Sequence, residues 1–73
     1  MQKNPKEDVA MARVRKAFKK SGLSLHEVGV RMGYPADSAR KSAWQFLRQT
    51  DDPRISMLRR FADAMSIDVK QLL

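Results

Sequence analysis

The chain has 73 residues, and its fifteen Lys and Arg against eight Asp and Glu leave a formal net charge of +7. That length suits one small domain and excludes two, and it hides only about 60% of the unfolded surface, so packing must be tight. The absence of cysteine excludes a disulfide or cysteine–zinc scaffold, no apolar run approaches the roughly 18 residues of a membrane span, and the positive charge favours a polyanionic partner.

Hydrophobic periodicity predicts helices throughout, with neither an alternating β-branched run nor an Asn-Gly or Asp-Gly hairpin dipeptide. Asn4 before Pro5, with Glu7 in the first turn, suits a helix start, and residues 1–5 are expected to form a flexible arm. Ala10, Val14, Ala17 and Phe18 make one apolar stripe on this basic first helix, which ends at Gly22. Ser24 to Glu27 reads as a capping box, with Leu23 and Val28 at the staple positions. The second helix then stops near Met32, because Gly33 terminates it and Pro35 keeps Tyr34 from continuing in helix. Asp37 or Ser38 is expected to cap a third helix reaching about Gln49. Ala39, Ala43, Phe46 and Leu47 share its inward face at 100° per residue, while Lys41, Gln45 and Arg48 fall opposite. Arg40 and Ser42 flank the stripe, with Trp44 at its edge. After the loop Thr50-Asp51-Asp52-Pro53, the residues Ile55, Leu58, Phe61, Ala62 and Met65 mark a fourth helix. Asp68 can cap a short fifth one.

A short capped helix, a glycine-bounded turn and a third helix with donors on its free face make the outline of a helix-turn-helix. The wider pattern is Gly22-Leu23-Ser24, Glu27-Val28, Met32-Gly33, Pro53, Leu58, Phe61-Ala62, Met65, Ile67-Asp68 and Leu72. On these residues the chain resembles the phage-repressor-like (Cro/C1, XRE-type) helix-turn-helix family across about residues 13 to 73. The resemblance implies an all-α, compact five-helix bundle over 1–73, usually dimeric, whose third helix enters the major groove of double-stranded DNA. It implies a transcriptional regulator, such as a repressor or an autoregulating antitoxin-like protein, that is cytoplasmic and nucleoid-associated when bound.

The spacing from Gly33 to Pro53 exceeds the family's usual spacing by about four residues, and placing the excess in Tyr34 to Ala39 keeps Ala43, Phe46 and Leu47 facing inward. A shift by one step would instead bring Asp37 and Ser38 to the bases first. In the first register, Phe18 and Leu47 stand where family members often pair an interior Arg with a Glu. A joint replacement by apolar groups strands no charge. Leu25 stands where many members place a phosphate-touching Gln. Carried over by position, base reading falls on Arg40, Lys41 and Gln45, and phosphate contact on Ser42 and Arg54. The helical wheel adds Arg48 to the base-reading face. Arg and Lys suit guanine O6 and N7, and Gln suits adenine N6 and N7.

No enzyme is expected. Ser24 is explained by capping, and His26, the single histidine, stands too close along the same helix to serve as its base. No ligand set at metal spacing and no glycine-rich phosphate loop is present, so neither metal nor cofactor is expected. Lys16, Lys19 and Lys20 read as a solvated cluster, and Trp44 as a side chain packed on the first or fourth helix. Ile67, Val69, Leu72 and Leu73 exceed what a short last helix buries easily, and form the candidate homodimer contact. The competing class is a small helical protein-interaction module whose basic face meets an acidic partner.

Overall fold

The computed structural model describes residues 9–73. Among these the chain forms α1 (Val9–Ser21), α2 (Leu25–Arg31), α3 (Ala39–Gln49), α4 (Ile55–Met65) and a 3₁₀ turn, Val69–Leu72, with no strand. The all-α expectation holds. In place of the fifth helix stands this single turn, where the Asp68 carboxylate accepts from the Lys70 amide at 3.0 Å, an i to i+2 bond that favours tighter coiling. Asn4, Pro5, Glu7 and the arm over residues 1–5 lie outside the described residues. No described helix is long and apolar enough to cross a membrane.

The helix ends follow local chemistry. Ser21 Oγ donates to the Phe18 carbonyl at 2.7 Å and accepts from the Leu23 amide at 3.1 Å, and Gly22 turns the chain at φ +74°. The Ser24 hydroxyl accepts from the Glu27 amide at 3.1 Å, and this is the half of the capping box that forms. At the far end of α2, Gly33 donates to the Val30 carbonyl and Tyr34 to that of Gly29, both at 3.0 Å, with Gly33 at φ +99°. Such paired bonds around a left-handed residue satisfy carbonyls that the helix leaves open.

Helix α4 closes with the same pair: Ser66 donates to the Asp63 carbonyl at 3.1 Å and Ile67 to that of Ala62 at 2.9 Å. Here the left-handed place, at φ 60°, is held by a serine. A side chain in that conformation costs about 1 kcal/mol that glycine avoids. Ser66→Gly should therefore raise the thermal midpoint by roughly 4–8 °C, read by circular dichroism. An unchanged or lower midpoint would show that Ser66 carries no such strain.

The core joins Met11 and Val14 of α1, Val28 of α2, Met32, Ala43, Phe46 and Leu47 of α3, Leu58, Phe61, Ala62 and Ala64 of α4, and Leu72. All four residues expected on the inner face of α3 are buried. Phe46 and Phe61 meet with ring centroids 5.9 Å apart at 41°, a tilted aromatic contact. Met11, absent from the expected stripe of the first helix, is among the most deeply buried side chains. No polar or charged residue is buried among the described residues.

Candidate nucleic-acid interface

The position of α3 is set where it meets α2. A Cβ on Gly29 would lie 2.2 Å from the Ala39 carbonyl oxygen and 2.8 Å from the Ala39 Cβ, so α2 rests on the first residue of α3 more closely than any side chain permits. The connection from Met32 to Ser38 is longer than a turn of about 3–4 residues. The Ser38 amide closes it onto the Pro35 carbonyl at 3.0 Å. Beyond this connection Ala43, Phe46 and Leu47 face inward.

Opposite that face, Lys41, Gln45 and Arg48 are exposed; at its flanks Arg40 is exposed and Ser42 half-buried. The helix begins with Arg40 and Lys41 in its first turn and no acidic residue there. Ser38 holds the N-cap position without capping, its hydroxyl turned back toward the Pro35 carbonyl at 3.4 Å, and Asp37 is exposed in the connection. Cations at the positive end of a helix oppose its dipole by about 0.3–1 kcal/mol each, and a missing cap costs about 1 kcal/mol more. The start of α3 is thus arranged against its own stability. An anion placed there would relieve both penalties.

Ser42, Gln45 and Arg54 line one cleft of about 340 Å³ between α3 and the start of α4, together with Tyr34, Thr50 and Asp52. Arg54 stands at the N-cap of α4 in extended backbone, and its carbonyl accepts from the Met57 and Leu58 amides at 3.0 and 3.1 Å. Asp52 offsets part of the positive field in this cleft. Arg40 and Lys41 lie outside it, and Arg48 lines a different groove beside Trp44. Tyr34 and Thr50 had no expected role. The signal for Tyr34 was its place directly after Gly33, where the bond to the Gly29 carbonyl holds it at the root of α3.

No family model, curated protein or solved structure matches the chain. Three arginines are engaged with main-chain carbonyls. Arg15 Nε donates to Leu47 at 2.8 Å, Arg31 Nη1 to Ala64 at 3.3 Å, and Arg13 Nη1 to Leu73. The first two satisfy open carbonyls near the C-terminal ends of α3 and α4, where a positive charge also suits the helix dipole. Lys16, Lys19 and Lys20 are exposed on α1.

The expected dimer contact needs correction at one residue. Leu72 is 1% exposed, packed into the core of its own chain, and offers no surface to a second copy. Ile67 and Val69 are half-buried against the same core, which leaves Leu73 at 57% as the exposed member. Arg13, Lys16 and Lys20 line the adjoining groove with Ile67. A two-fold contact at this end would set those cations near their own copies.

Proposed function

We propose that the chain is a sequence-specific, double-stranded-DNA-binding transcriptional regulator of the helix-turn-helix type, reading the major groove with α3. The observation that carries this reading is the free face of α3. Arg40, Lys41, Gln45 and Arg48 lie exposed there, on a helix without a carboxylate whose uncapped start bears two cations. Local rules of stability are broken mainly where function requires it. In this reading Arg40, Lys41, Gln45 and Arg48 reach base edges, while Ser42 and Arg54 hold phosphates that set the orientation. A repressor or autoregulating antitoxin-like role fits a small DNA reader of this kind. If two copies assemble, their α3 helices would read half-sites about 34 Å apart.

Electrophoretic retardation of a random duplex at low salt tests the class, because a DNA reader binds nonspecifically in the micromolar range. Selection from a random pool then yields the preferred site. Gln45→Ala should relax preference at particular base pairs, whereas Arg54→Ala should weaken all sequences alike and reduce the salt slope by about 1. If micromolar protein leaves the duplex unretarded at low salt, the DNA reading fails. The module that meets an acidic protein partner then takes its place.

A further inference from the structure

The other flank of α3 carries a second surface. Phe18 of α1, Leu25 of α2, and Trp44 and Leu47 of α3 line a groove of about 350 Å³, and Arg15, Lys19 and Arg48 complete its lining. Leu47 is buried, Phe18 and Leu25 are half-buried, and Trp44 is 43% exposed. Among the described residues no carboxylate lines the groove. Arg15 is steadied by the bond from its Nε to the Leu47 carbonyl at 2.8 Å, which leaves its terminal nitrogens available. Phe18 and Leu47 open here onto one shared space.

We propose that this groove docks an acidic peptide segment of a partner protein. Bulky apolar side chains would anchor it against Trp44 and Leu25, and carboxylates would pair with Arg15 and Lys19. Charge complementarity selects the acidic character, since an apolar occupant alone would leave three cations unmet. The apolar walls select a peptide over a DNA duplex, because a duplex keeps its bases stacked on one another and offers only charged sugar-phosphate to a space between Phe18, Leu25, Trp44 and Leu47. The volume lies at the lower end of ligand-sized sites, about 300–1,000 Å³, and suits one or two large side chains. An amphipathic helix with apolar anchors at i, i+3 and i+4, flanked by Asp and Glu, meets both demands. This proposal does not depend on DNA binding, and its first test contains no duplex.

Trp44 is the single tryptophan of the chain, so its fluorescence reports occupancy of the groove. Titration of the full chain with the peptide acetyl-EEDFEELLDD-amide should shift that emission to the blue, saturating with a midpoint below about 1 mM. Lys19→Glu, at an exposed position where the fold is checked by circular dichroism, should raise the midpoint at least about fivefold. The basic counterpart acetyl-KKKFKKLLKK-amide should leave the emission unchanged. The proposal is overturned if the acidic peptide gives no saturable shift up to that concentration, if both peptides act alike, or if Lys19→Glu leaves the midpoint unmoved. It is equally overturned if a random duplex shifts Trp44 while the acidic peptide does not, since the groove would then belong to the nucleic-acid face.

Discussion

Gly29→Ala is expected to lower the stability of the domain by about 2 kcal/mol, although alanine is the better helix former. Inside a helix alanine gains roughly 1 kcal/mol over glycine. Against that gain, the added methyl group would sit 2.2 Å from the carbonyl oxygen of Ala39 and 2.6 Å from its carbon. Neither atom is the tip of a flexible side chain, so α2 and α3 must separate along their contact. Overpacking of this kind costs up to about 3 kcal/mol. A chain of this length has a total stability of about 4–11 kcal/mol, so the midpoint should fall by about 10 °C. Gly29→Val, with two further methyl groups at the same contact, should leave much of the chain unfolded. Urea denaturation followed by circular dichroism measures both. A Gly29→Ala protein as stable as the parent would mean that the two helices do not meet so closely.

Lys41→Glu is expected to act in opposite directions on folding and on binding. An acidic residue in the first turn of α3 replaces a cation that opposes the helix dipole, so stability should rise by about 0.5–1 kcal/mol. The same change removes a donor from the face proposed to meet DNA and sets a negative charge against phosphate. Affinity for the selected duplex should fall at least about 100-fold, from the lost base contact together with charge repulsion. Fluorescence anisotropy with labelled duplex reads the binding, and thermal unfolding reads the stability. Retained affinity would remove Lys41 from the interface. A loss of both properties would show only that the helix had been damaged.

Features that depend on a few neighbouring residues were legible in the chain. Ser24 capping α2, Gly22 and Gly33 turning the backbone at positive φ, and the buried face of Ala39, Ala43, Phe46 and Leu47 all follow from short-range hydrogen bonding and the 3.6-residue period. The same period placed Lys41, Gln45 and Arg48 outside, because the face opposite a buried stripe has to meet solvent. Met11 was harder to read. It stands beside Ala10, both fall within the apolar arc of α1, and depth along that arc depends on what packs opposite. The expected cap by Asp37 or Ser38 does not form: Ser38 stands at the head of α3, but its hydroxyl is drawn to the Pro35 carbonyl by a connection whose path is not written locally.

Residue types and their order along the chain settled the helical class, most helix limits and the polar face of α3. Tertiary structure alone decided that Gly29 is a contact point, that Leu72 belongs to the core, that Arg15 and Arg31 bind carbonyls more than thirty positions away, and that Phe18, Leu25 and Trp44 share a groove. The physical reason is range. Capping and periodicity act over three or four residues, whereas helix against helix contact depends on directions that the intervening loops set, and those directions leave no trace in any single stretch of sequence.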